Sequence, residues 1–71
     1  MPDRVTAHIT GVVFQIVAHE GDQVNEGDPI VVLESMKMEI PVEAPRVGLI
    51  KEVMVREGDT VQEGDAVAVL D

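Results

Sequence analysis

The chain has 71 residues, no cysteine, and 14 acidic residues against 5 basic ones, a formal charge of -9. A single domain spanning residues 1–71 is all that length supports, and neither disulfides nor a cysteine zinc site can brace its thin core. The negative balance excludes a phosphate-gripping nucleic-acid module, and the lack of any apolar run near ~20 residues excludes a helical membrane span.

Along the chain, proline or glycine closes off every apolar run within a few residues, too soon for a helix of ~10 residues or more. Strands are predicted over residues 5–9, 12–18, 30–34, 38–43, 49–55 and 67–70, with shorter pieces around Val24 and Val61. One aromatic residue, Phe14, among many valines describes a core of small β-branched side chains suited to a pleated surface. The expected class is all-β.

The chain also repeats itself. Setting residues 11–34 above 48–71, an offset of 37, gives 10 identities in 24 positions, including Gly11, Glu20, Gly21, Asp22, Glu26, Gly27 and Asp28. The repeats extend over 5–34 and 42–71, joined by the uncopied segment 35–41 that holds Lys37. Positions apolar in both copies form the expected core: Val13 with Ile50, Ile16 with Val53, Ala18 with Val55, Val24 with Val61, Ile30 with Val67, and Val32 with Val69. The step from 13 to 16 breaks the period of two, so a bulge is expected near Gln15 and Glu52. Curved, duplicated strands pack best as two antiparallel sheets closing on one core, a flattened barrel-sandwich with quasi-twofold symmetry. That symmetry puts Lys37 at a tip.

Glu20-Gly21-Asp22 and Glu26-Gly27-Asp28, repeated at 57–59 and 63–65, lack the ligand series of a hand-type calcium loop. They read instead as hairpin turns, glycine supplying positive φ and aspartate closing its own turn. His8 and His19 have no equivalent in the other copy and no serine or cysteine partner, so both are expected on solvated surface. With no nucleophile and base in sequence proximity, and a core too thin for a pocket of ~300 Å³, an enzyme is the least favoured class.

Glu34-Ser35-Met36-Lys37-Met38-Glu39 resembles the attachment sequence of the biotinyl/lipoyl domain family, and with the duplicated halves and Gly-Asp turns the resemblance covers the whole chain. It is nearest to small stand-alone biotin carboxyl carrier-like proteins. The resemblance implies two four-stranded sheets, and matched lengths at 19–25 and 56–62 leave no thumb insertion. It implies that a biotin protein ligase attaches biotin covalently to Lys37, with Met36 and Met38 as recognition residues and Glu34, Ser35 and Glu39 flanking the hairpin. The domain would then shuttle carboxybiotin between biotin carboxylase and carboxyltransferase subunits of an acyl-CoA or related carboxylase, itself a non-catalytic carrier. An ordinary lysine amine is almost wholly protonated at neutral pH, so the domain cannot activate its own nucleophile.

The sequence departs from the family where Ser35 replaces the usual alanine and Ala7-His8-Ile9-Thr10-Gly11 replaces an Ala-Pro-Met-Pro-Gly opening. Two alternatives stand beside biotin. A lipoyl carrier of a 2-oxoacid dehydrogenase or glycine cleavage type system usually reads Asp-Lys-Ala, and Met36 occupies the acidic place. An unmodified structural adaptor would use the barrel only for docking. A cytoplasmic monomer is the expected state, and an initiating methionine with a terminus at the end of the second copy reads as a complete gene product.

Overall fold

In the computed structural model, which describes residues 2–71, the chain runs through β1 (Asp3–Thr6), β2 (Gly11–Ile16), β3 (Gln23–Val24), β4 (Pro29–Ser35), β5 (Met38–Glu43), β6 (Gly48–Val53), β7 (Thr60–Val61) and β8 (Ala66–Leu70). They form two four-stranded antiparallel sheets, ordered β1-β8-β6-β3 and β5-β4-β2-β7. The offset of 37 carries β2 onto β6 and β3 onto β7, and turns the first sheet's order into the second's. Each sheet therefore holds two strands from each repeat. Neither repeat can bury its apolar face without the other, which is why a 71-residue chain needs both.

Every connection passes from one sheet to the other except β4 to β5. This corrects the expectation that the four Gly-Asp motifs are hairpin turns. They are turns, but each links strands of opposite sheets. Their local chemistry is as anticipated: the carboxylates of Asp22, Asp28, Asp59 and Asp65 accept the backbone N–H groups of His19, Asn25, Arg56 and Gln62 at 2.8–2.9 Å. Gly21, Gly27, Gly58 and Gly64 sit at φ of 90–95°, where a side chain is disfavoured. The glycine N–H groups then reach across to the other repeat, Gly21 to the Ile50 carbonyl and Gly58 to that of Val13, both at 2.8 Å. Asp28→Ala is expected to lower stability by about 1 kcal/mol, as measured by urea unfolding, because the Asn25 N–H loses its acceptor.

The bulges expected near Gln15 and Glu52 are present, as register shifts between Val13 and Gln15 and between Ile50 and Glu52. A second symmetric pair was not anticipated. Between Pro29 and Val31 the register shifts at Ile30, and opposite Val5 and Thr6 it shifts at Val67. Each extra residue flips the strand's phase, so Ile30 and Val31 both face inward, as do Val67 and Ala68. Val32 and Val69, expected in the core, are consequently half-buried on the outer faces, while Leu33 and Leu70 are fully buried. Ile16, Val53 and Val55 are also only half-buried, packing against the core from its margin. Strands 5–9, 12–18 and 49–55 end early, because Ala7, Val17 and Met54 donate to Asp65, Ile30 and Val67 as the chain turns out of the ladder.

The molecule measures 33 × 17 × 17 Å. Ile16 and Val53, the symmetry-equivalent ends of β2 and β6, meet along one groove, whereas Glu34 and Asp71 lie beside the far starts of those strands. The β4–β5 tip thus stands at the end of the long axis opposite Asp71.

Candidate functional site

The one hairpin among the described residues is the one that carries Lys37. Its ladder runs from Pro29 opposite Glu43 to Ser35 opposite Met38, leaving Met36 and Lys37 as a two-residue loop. Their φ angles are 53° and 64°, the positive values that a type I′ turn requires at both central positions. Asparagine and glycine adopt that conformation readily; methionine and lysine do so at a cost of about 1–2 kcal/mol each. One step down the stem, Glu34 and Glu39 stand directly opposite one another, a like-charge pair that opposes hairpin closure.

Met36 is 91% exposed and Met38 59%, so neither packs on the barrel edge. Lys37 is exposed, as are Glu34 and Glu39, and Ser35 is half-buried. Among the described residues the Lys37 amine makes no ion pair or hydrogen bond. All six residues singled out around the lysine are thus brought together on the tip and the last step of its stem. Replacing Met36 by Asn, with Lys37 kept, is expected to raise the melting temperature by several degrees, because a residue tolerant of positive φ relieves half of the turn's cost. A lowered melting temperature would show that the turn carries no such cost.

One residue that supports the site was not singled out as such from the sequence. Gly11, buried on β2, lies so close to the stem that an added Cβ would fall 2.8 Å from the Glu34 carbonyl oxygen. Its equivalent, Gly48, would meet the flexible end of Arg46 at 2.7 Å and the Asp71 carbonyl at 3.2 Å. Gly11→Ala is therefore expected to destabilise by about 1–3 kcal/mol in thermal unfolding, and Gly48→Ala by less. The identity of both glycines across the repeat was the available signal, but close approach of two backbones is a tertiary fact.

His8 and His19 are exposed as expected, His19 lying 3.9 Å from the Asp22 carboxylate. The core is expected to be too thin to hold a pocket, and the concavity that does form lies on the surface instead. A surface groove of about 600 Å³ runs between the two repeats, lined by Ile16, His19, Glu20, Val53, Arg56 and Glu57 among others. It lies outside the core, where symmetry-related loops diverge. No serine, threonine, cysteine or lysine lines it.

A family model described as biotin-requiring enzyme, Biotin_lipoyl, matches residues 1–70. The chain belongs to the biotin/lipoyl attachment family. Among relatives of this biotinyl domain, the biotinylated protein TB7.3 homolog of Mycolicibacterium smegmatis is 59% identical over 44 residues, 62% of each chain. Pyruvate carboxylase of Aspergillus niger is 50% identical over 42 residues, 59% of this chain but 4% of that protein. The fold matches Kluyveromyces lactis urea carboxylase with a TM-score of 0.95 and 34% identity, covering 100% of this chain and 6% of the other. A single-chain, multi-domain long-chain acyl-CoA carboxylase matches with a TM-score of 0.88 and 34% identity over 96% of this chain and 7% of that one. The biotinyl domain thus aligns with small biotinylated proteins along under two thirds of their length, and with a small part of large carboxylases.

The tip fits amide attachment of biotin. Its amine is exposed, unpaired among the described residues, and held at the apex of a closed hairpin that presents no competing lysine.

Proposed function

We propose that this domain is a biotin carboxyl carrier, biotinylated on Lys37 and serving a biotin-dependent carboxylase. The single observation that carries the reading is Lys37 at the apex of the one hairpin that stays within a sheet among the described residues, between two exposed methionines. A biotin ligase supplies biotin activated as its acyl adenylate. Lys37 Nζ, once deprotonated in the ligase site, attacks the acyl carbon; a C–N bond forms, the C–O bond to AMP breaks, and AMP and a proton leave. Met36 and Met38 give the ligase a soft, adaptable contact on either side of the amine. Glu34, Ser35 and Glu39 flank the hairpin beneath that contact.

Once bound, biotin supplies a ring that accepts a carboxyl group at one active site and yields it at another. The barrel contributes position. Four cross-sheet turns and a closed core fix the stem, so the tethered group samples a limited volume and its effective concentration at both sites rises. The carrier itself brings no nucleophile and base to either step. Methionine rather than an acidic residue before Lys37, and relatives named as biotinylated proteins and carboxylases, favour biotin over lipoate. Co-expression with a biotin ligase is expected to yield a streptavidin-reactive band at the size of the domain. Its absence in the presence of active ligase overturns the reading.

A further inference from the structure

The quasi-twofold symmetry makes each outer sheet face a control for the other. The fold asks the same of both faces, so residues that differ at equivalent positions answer to something besides folding. On the sheet that bears the Lys37 hairpin, Val32 lies opposite Gln15 on one side and Pro41 on the other. Phe14, outward-facing between buried Val13 and the bulged Gln15, is 49% exposed, and Val12 is exposed two residues before it. The equivalents of Val12, Phe14, Val32 and Pro41 on the other sheet are Leu49, Lys51, Val69 and Arg4. The lone aromatic residue and a proline therefore stand where the opposite face carries two cations. β2, β4, β5 and β7 contain no lysine or arginine, and the same face carries Glu34 and Glu39 near the tip.

The distance to the lysine is short. Val32 precedes Ser35, the last stem residue, by three positions on β4, a span of ~10 Å at strand rise. An enzyme that acts on the end of a cofactor arm can keep clear of the stem. One that acts on Lys37 Nζ itself must bring its active site onto the tip and so covers the surface within that span.

We propose that the ligase that modifies Lys37 docks on the outer face of the β5-β4-β2-β7 sheet. Phe14 and Pro41 fill an apolar depression on the ligase, and lysine or arginine residues at its rim face Glu34 and Glu39. The opposite face stays free during loading. This rests on the reading of Lys37 as the attachment site.

The test compares kcat/KM for biotin incorporation, followed by intact mass with purified biotin ligase, for the unaltered domain and variants of each face. Phe14→Lys places on the tip face the residue that the equivalent position already accommodates. It is expected to lower kcat/KM at least about tenfold, mainly through KM, with the melting temperature little changed. Pro41→Arg, designed in the same way, provides the second tip-face variant should the first fold poorly. Leu49→Lys, a matched change on the opposite face, is expected to stay within about twofold. Equal rates for all three overturn the proposal, as does an equal loss in Leu49→Lys. Failure of the unaltered domain to take up biotin overturns the attachment reading and this inference together, whereas normal uptake by the tip-face variants removes only the latter.

Discussion

Lys37→Arg is expected to abolish biotin incorporation outright while leaving the domain folded. Arginine keeps the positive charge and much of the length, so electrostatic encounter with a ligase changes little. Its guanidinium stays protonated and offers no lone pair to an acyl adenylate. The loss should be complete rather than graded, because amide formation needs the nucleophile itself. Lys51→Arg, on β6 of the other sheet, is the companion variant and should incorporate biotin as the unaltered domain does. Position 37 is exposed and its side chain unpaired among the described residues, so stability should shift by less than about 0.5 kcal/mol. Intact mass reads the first effect and calorimetry the second. Biotin retained by Lys37→Arg would remove the assignment.

The second large effect is on the core. Leu33→Ala is expected to cost about 3 kcal/mol, since the side chain is fully buried against both sheets. A domain of 71 residues has roughly 4–11 kcal/mol to lose at about 0.05–0.15 kcal/mol per residue. The expected fall in melting temperature is therefore about 12–24 °C, at about 4–8 °C per kcal/mol. Leu70→Ala, its symmetry equivalent and equally buried, should fall by a similar amount, whereas Leu49→Ala, half exposed, should move little. A large difference between Leu33→Ala and Leu70→Ala would mean that the two sheets do not share one cooperative core.

Much of this architecture was legible before any coordinates. The offset of 37 residues implied equivalent halves, and the phase break from Val13 to Ile16 located the first bulge pair, because inward and outward residues there differ in polarity. The second bulge pair was hidden for the opposite reason. Ile30-Val31-Val32-Leu33 is apolar throughout, so a one-residue phase shift leaves no trace in the pattern, and the repeat alignment points to Val32 as core although Val31 is the residue that faces inward. The Gly-Asp motifs specify a turn through φ and an aspartate acceptor, but nothing local says whether the next strand joins the same sheet or the opposite one. Phe14 faces outward by simple alternation after Val13, and its counterpart Lys51 already keeps that position out of the shared core; the bulge acts on the next residue, turning Gln15 outward as well.

The candidate site stands out in the sequence because it breaks the repeat. Lys37 has no counterpart in either copy, and a segment that symmetry does not require stands out within a duplicated chain. The turn's geometry was not legible from propensity, since Met-Lys is a poor choice for two left-handed residues. That mismatch, with Glu34 facing Glu39 beneath it, is consistent with a tip selected for what it presents to a partner rather than for its own stability.

Mass spectrometry of the protein recovered from its native host, with the peptide around Lys37 sequenced, is the most direct measurement. One biotinyl group in amide linkage on Lys37 is the expected finding. An unmodified lysine, a lipoyl adduct, or biotin carried on Lys51 instead would contradict the carrier assignment.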